Sequence, residues 1–244
     1  MKQLKLIVFM AIMSGITQLA GQAKAQKVIA GQALSAKDKS IIVISSLTAK
    51  GRLEKLKTEL NGGLDAGLTV NEIKEVLVHT YAYCGFPRSI RGLQTFMKVM
   101  DERKANGIKD DLGTEASPIK SDSSKYERGK KILGELAGTP QPAHLSGYAA
   151  FAPTIDAFLK EHLFADIFER DVLTYAQREL VTISVISAIG DAEPMLQGHL
   201  AIALNVGITP VQLKEFIEVV KSSIGEKEAY AAKKVLDEVL KNRK

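Results

Sequence analysis

Cysteine is nearly absent: Cys84 is the sole one in 244 residues. No intrachain disulfide can form, so the fold must rest on its apolar core. No second thiol exists for dithiol redox chemistry, and no lipidated cysteine follows the amino-terminal segment. Histidine is scarce too, at four, and His144 and His162 lack partners at metal-ligand spacing. No metal and no cofactor is expected. No glycine-rich phosphate loop occurs. Strand-like alternation of useful length is missing. Charge of one sign is also missing: setting aside Lys2, Lys5 and Lys24 leaves 30 basic against 28 acidic residues. Without a basic patch interleaved with aromatics, nucleic acid is not expected as a partner.

Residues 1–25 read as a signal peptide, with an uncleaved anchor as the alternative. Lys2 and Lys5 form a charged start, Leu6 to Ile16 an apolar run too short to span a bilayer comfortably, and Ala23-Lys24-Ala25 a small-x-small cleavage pattern. The expectation is a periplasmic or secreted protein without stable membrane insertion after cleavage. The length leaves ample core for one large or two small domains.

The chain repeats itself. GLTVNEIKEVLVHTYAYCGFP from Gly67 returns, shifted by 140 positions, as GITPVQLKEFIEVVKSSIG from Gly207. Gly67 matches Gly207, Thr69 matches Thr209, Glu75 matches Glu215 and Gly85 matches Gly225. Both copies predict a helix opened by a capping box, Thr69 with Glu72 and Thr209 with Gln212. The preceding glycine ends the helix before it in a left-handed turn. Leu56, Leu60 and Leu64 match Leu196, Leu200 and Leu204 at the same shift. Upstream of Gly51 and Gly190 the shift is 139, and Ile44, Ser45 and Ala49 match Ile183, Ser184 and Ala188. A register kept over three helices predicts a duplicated all-helical unit.

Along the chain, Ser35 caps a nearly all-apolar helix through Ile41, Ile42, Ile44 and Leu47. A leucine-striped helix from Leu53 to Asp65 follows, then the Thr69 helix to about Tyr83, broken at Cys84-Gly85-Phe86-Pro87. Ile90, Leu93, Phe96 and Met100 continue on one helical face. The polar, Gly/Pro/Ser-bearing stretch after Asp101 predicts a linker lying across the surface. The expected division is a signal peptide at 1–25, a shortened first unit at 26–108, a linker at 109–124 and a complete second unit at 125–244. The second unit adds a helix from Tyr126 to Ala137 and an amphipathic segment from Pro153 to Phe168. Thr174 with Gln177 opens the next helix.

Several stretches carry a family resemblance: Tyr126-Glu127-Arg128-Gly129, Phe164-Ala165-Asp166-Ile167-Phe168, Gln177-Arg178-Glu179-Leu180-Val181-Thr182-Ile183, and Gly198-His199-Leu200 with Ala203-Leu204-Asn205-Val206-Gly207. In that order they resemble a carboxymuconolactone decarboxylase domain. Glu75 to His79 and Ala82 to Pro87 resemble the core of the same domain in the first unit. The resemblance implies an all-α fold of two tandem domains and ring assembly, with a tandem chain forming a homo-oligomer, a trimer. It also implies one of two chemistries: cofactor-free decarboxylation of a lactone acid, or alkylhydroperoxidase-like thiol redox with a Glu, a C-x-x-C pair and a His. Glu179 and His199 match that Glu and His, but Asp191 to Pro194 hold no cysteine. In the first unit Ser40 and Glu59 stand at the Glu and His places.

The expected catalytic pair is therefore Glu179 and His199, the alternative being a Glu179 that caps or pairs within its helix and a His199 satisfied at an interface. Histidine suits proton delivery because its unperturbed pKa is near neutral. Arg178 is expected to anchor a substrate carboxylate. Glu75, His79 and Tyr83 are spaced i, i+4, i+8 and fall on one helix face, with Glu75 and Tyr83 as binding residues and His79 and Cys84 as second-choice catalytic ones. The alternative for Glu75 and His79 is a partly exposed pair, and for Cys84 a small buried packing residue. The expectation is an exported lyase (decarboxylase) acting on a small carboxylated molecule, with activity centred on the second unit and the first mainly structural. Two alternatives stay open: a thiol-linked peroxide-detoxifying protein using Cys84, and a non-catalytic ligand-binding or assembly protein.

Overall fold

The computed structural model describes residues 33–243, so the expected signal peptide lies outside the described residues. Among the described residues the regular structure is entirely helical. In the first unit, α1 spans Ala36–Lys50, α2 Leu53–Asp65 and α3 Val70–Ala105. The second adds α4 (Lys125–Ala137), α5 (Gly147–Phe151) and α6 (Pro153–Phe158), which runs into a π-helical segment, Leu159–Phe168. It then repeats the plan with α7 (Tyr175–Ile189), α8 (Glu193–Asn205), α9 (Pro210–Ile224) and α10 (Glu226–Asn242). The π-helical winding was not expected; the amphipathic pattern fixes a buried face but not the hydrogen-bond register behind it.

The capping boxes at Ser35, Thr69, Thr174 and Thr209 all form, each side-chain oxygen accepting from the backbone amide three residues on. Gly67 and Gly207 both have positive φ, 92° and 101°, which a residue without Cβ adopts freely. The break expected after Tyr83 lies at Gly85 (φ 78°, ψ 160°), inside what is otherwise one continuous run from Val70 to Ala105. The Leu77 carbonyl beside this kink accepts from Thr80 Oγ1 and from Ser89 Oγ across it, both at 2.7 Å. Gly225 (φ 129°) breaks the second copy at the matching place, separating α9 from α10.

The two units interlock. Helices α1 and α7 pack on each other at the centre, while α3 of the first unit packs on α7 and α9 of the second packs on α1. The all-apolar faces of α1 and α7 demand this: Ile41, Ile42, Ile44, Val181, Ile183 and Val185 are wholly buried. Each such side chain contributes about 1.5–3 kcal/mol by leaving water. Ser45 and Ser184, also buried and matched by the repeat, keep these positions small.

A second cluster joins α4 to the π-helical segment through Ile132, Leu136, Phe164 and Phe168. Gly129 is required there, since a Cβ would sit 1.7 Å from the Lys160 carbonyl oxygen. Lys160 is itself buried and paired with Asp156 at 2.7 Å, with the Tyr126 hydroxyl on both. The stretch between α3 and α4 has no helix and is pinned across the start of α3. The Asp111 and Leu112 carbonyls accept from the Val70 and Asn71 amides, at 2.9 and 3.0 Å, and Arg103 pairs with Asp110.

Candidate functional site

Where α3 crosses α7, polar side chains from both units meet in an otherwise apolar interior. Glu75, His79 and Tyr83 come from successive turns of α3; Arg178, Glu179 and Thr182 come from the first two turns of α7. His199 projects from α8. Arg178 Nη2 donates to Glu75 Oε1 at 2.7 Å and to the Arg170 carbonyl at 2.6 Å. Arg170 adds a two-pronged contact to the same Glu75 carboxylate, at 2.9 to 3.1 Å. Arg178 Nη1 lies 3.2 Å from His79 Nδ1, and His79 Nε2 lies 3.0 Å from Thr182 Oγ1. The Thr182 hydroxyl is 3.1 Å from that of Tyr83. The Tyr83 ring stacks on His79 (centroids 5.6 Å apart) and meets the edge of His199 (5.9 Å). His199 Nδ1 contacts Glu179 Oε2 at 2.9 Å.

Arg178, Glu179, His79 and Thr182 are wholly buried, whereas the His199 side chain keeps 16% of its surface exposed. His199 and Arg170, the latter with 39% of its side chain exposed, are edges of the constellation that solvent reaches. Burial, then the charges of Arg178 and His199, holds the His79 pKa well below its ordinary value. Burial, with the Glu179 carboxylate, pushes the Tyr83 phenol up, so it stays protonated. Burial also lowers the Arg178 pKa against the pull of Glu75.

All the residues singled out in the sequence except Cys84 join this constellation. It is not confined to the second unit: Glu75, His79 and Tyr83 of the first supply a whole wall. Glu75 and His79 are a buried pair rather than a partly exposed one. Arg178, expected as a carboxylate anchor, has its Nη atoms committed to Glu75, His79 and the Arg170 backbone. Its Nε alone is left, buried and without a partner among the described residues. Cys84 is half-buried; its thiol donates to the Thr80 carbonyl at 3.1 Å, and burial raises its pKa. Thr182 and Arg170 were missed. Thr182 was findable as the polar residue one helical turn after Arg178 in an apolar helix. Arg170 sits in a loop, where no periodicity marks it.

The duplication supplies an internal control. At the matching crossing of α9 on α1, Lys39 pairs with Glu215 at 2.6 Å, repeating Arg178 with Glu75. The other matching positions hold Val219 for His79, Ser223 for Tyr83, Val43 for Thr182, Ser40 for Glu179 and Glu59 for His199. The ion pair occurs at both crossings, whereas the histidines, the tyrosine and the buried Glu179 occur at one.

A groove of about 640 Å³ along α4 is lined by Glu127, Lys130, Lys131, Glu135 and Gln141 and holds no histidine. Among the described residues no three His, Cys, Asp or Glu side chains converge as metal ligands, and no helix is long and apolar enough to cross a membrane.

A duplicated all-helical unit with one polar crossing and one plain one is what the fold defines. The family model for the Carboxymuconolactone decarboxylase family matches residues 12–96 and again 153–238, and the chain belongs to that family. The first match begins within the expected signal peptide. A relative, 4-carboxymuconolactone decarboxylase of Acinetobacter baylyi (strain ATCC 33305 / BD413 / ADP1), is 28% identical over 123 residues. The alignment covers 50% of this chain and 91% of that protein, so the relative corresponds to about half of the present chain.

Proposed function

We propose that the protein is a cofactor-free lyase that decarboxylates a small carboxylated molecule, with His199 as the proton donor. The observation that carries this reading is the Glu179–His199 contact at 2.9 Å, with the carboxylate wholly buried and the imidazole reaching solvent. Glu179 accepts Nδ1–H and fixes the ring, which leaves Nε2 for a substrate. In the reaction the bond to the carboxyl carbon breaks and CO₂ leaves. The bonding pair passes into a conjugated carbonyl as an enolate, and His199, in its imidazolium form with Nδ1–H held by Glu179, gives the Nε2 proton to the resulting carbon. Solvent returns the proton at the exposed edge of the ring. The name of the Acinetobacter relative supports a lactone acid as the first compound to try.

Thiol-linked peroxide removal has less support. Cys84 stands alone in the sequence, and its thiol is held protonated by burial rather than activated. Export and assembly as a trimer belong to the same proposal, the first resting on residues 1–25 and the second on the family resemblance.

The test is CO₂ release from 4-carboxymuconolactone and from a panel of related lactone and β-keto acids. Turnover by the wild type that falls roughly 10²-fold in His199→Ala supports the reading. No CO₂ from any of these acids overturns it and favours a ligand-binding or assembly protein of the same fold.

A further inference from the structure

The hydrogens at the polar crossing can be placed one after another. Arg178 has donors only, so His79 Nδ1, 3.2 Å from Nη1, must accept. The ring proton then sits on Nε2 and is donated to Thr182 Oγ1 at 3.0 Å. Thr182 has a single hydroxyl hydrogen, and the Arg178 carbonyl one turn back takes it, at 3.0 Å. Two lone pairs remain on Thr182 Oγ1. One receives His79; the other meets the Tyr83 hydroxyl at 3.1 Å. The same threonine hydrogen could face Tyr83 instead, but the phenol hydrogen has no other acceptor among the described residues, so the arrangement that satisfies every hydrogen has Thr182 donate to the Arg178 carbonyl and the phenol donate to Thr182.

We propose that His79 is a positioning residue: Arg178 holds it as the Nε2–H tautomer, and through Thr182 it turns the Tyr83 O–H inward. Tyr83 therefore offers only acceptor lone pairs to anything else it meets. A ligand reaching it must bring an O–H or N–H, so a hydroxyl or enol oxygen fits there and a bare carboxylate does not. Glu179 Oε1 is a second buried acceptor with no partner among the described residues, on the carboxylate that holds His199. The two acceptors point to the same donor-bearing class of ligand. The charges around His79 agree with a neutral ring: Arg178 faces it directly, Glu75 and Arg170 lie behind Arg178, and His199 and Glu179 lie beyond Tyr83. Burial, then the positive charges of Arg178 and His199, keeps the His79 pKa well below its ordinary value. The ligand assignment rests on the reading that Tyr83 and His199 face the substrate; the tautomer does not.

Two measurements on the full-length chain test this. The first is imidazole ¹⁵N resonances of protein labelled at its four histidines, with His79 identified by its loss in His79→Gln. The expected result is a neutral Nε2–H ring that does not titrate between about pH 5 and 8, where an ordinary histidine does. An Nδ1–H ring, or an imidazolium in that range, overturns the proposal. The second compares turnover of His79→Gln and His79→Leu on whichever acid releases CO₂. Glutamine can accept from Arg178 and donate to Thr182; leucine can do neither. Glutamine is expected to stay within roughly threefold of wild type and leucine to lose about 10-fold or more. In a Tyr83→Phe background that difference is expected to vanish. Equal loss in Gln and Leu, or an undiminished difference without the phenol, reduces His79 to packing. If no acid is turned over, the ¹⁵N result still decides the tautomer, and only the lyase reading falls.

Discussion

Glu75 and Arg178 meet at 2.7 Å across the boundary between the two repeats, and both are buried. A charge pair taken out of water is costly to break, because removing one partner strands the other. Glu75→Gln is expected to destabilise the protein by about 3–5 kcal/mol, read from urea unfolding. Replacing both residues by leucine and methionine should cost less than the sum of the single changes. Additive losses would mean that the two charges are not coupled.

The depressed pKa of His79 has a defined sign in stability. The unfolded chain protonates His79 near its ordinary pKa of about 6.5, while the folded protein keeps it neutral. Stability from this site is therefore complete above about pH 6.5 and declines as pH falls, by at most about 1.4 kcal/mol per pH unit. The lowered carboxyls of Asp156, Asp166 and Asp171 act in a more acidic window. Urea midpoints at pH 7 and pH 5 should drop in wild type and drop less in His79→Gln. Equal drops would place the proton elsewhere.

Much of this was legible because the helices announce themselves locally. Thr69 with Glu72, Thr209 with Gln212, and the glycines at 67 and 207 fix helix starts by backbone chemistry within four residues. The repeat gave the domain plan for the same reason. What could not be read was how the units interlock, since helical periodicity names a buried face but not its partner. Glu75, His79 and Tyr83 were visible as one face. Nothing local showed that the face opposite carries Arg178 and Thr182, so the site was assigned to one unit when both build it. Arg178 alone reads as an anion anchor, and nothing local shows that its Nη atoms face Glu75, His79 and the Arg170 carbonyl.

Cys84 offers a clean negative. Its thiol sits at a helix break, half-buried, donating to the Thr80 carbonyl, with its pKa raised. Thiol-driven peroxide reduction is expected to be slow and to be unchanged in Cys84→Ser. A large rate that disappears in the mutant would establish the redox reading through an intermolecular disulfide.

Residues 1–25 carry the export proposal by themselves. Cleavage after Ala25 would leave Gln26 as the new amino terminus. Amino-terminal sequencing of protein recovered from outside the cytoplasm of an expressing bacterium should begin there. A chain that keeps Met1 in every fraction would end the proposal and move the lyase reading to the cytoplasm.

The strongest discrimination comes from the duplication, because each site residue has a matched position in the same molecule. Glu179 and His199 correspond to Ser40 and Glu59, His79 to Val219 and Tyr83 to Ser223, while the ion pair occurs at both crossings. If the polar crossing is catalytic, His199→Ala should lower turnover roughly 10²-fold with folding kept, since its ring is partly exposed and bonded to one partner. Glu179→Gln should also lower it, because the imidazole loses the charge that orients it. Glu59→Ala should leave turnover unchanged within about twofold, the scatter ordinary for a surface change. Glu215→Gln removes a pair with 26% and 43% of its side-chain surfaces exposed, so it should cost about 1 kcal/mol or less and leave turnover alone. Parallel damage at both crossings would show that the chain uses them as equivalents. Damage from Glu59→Ala alone would place the reaction at the crossing that lacks the histidines.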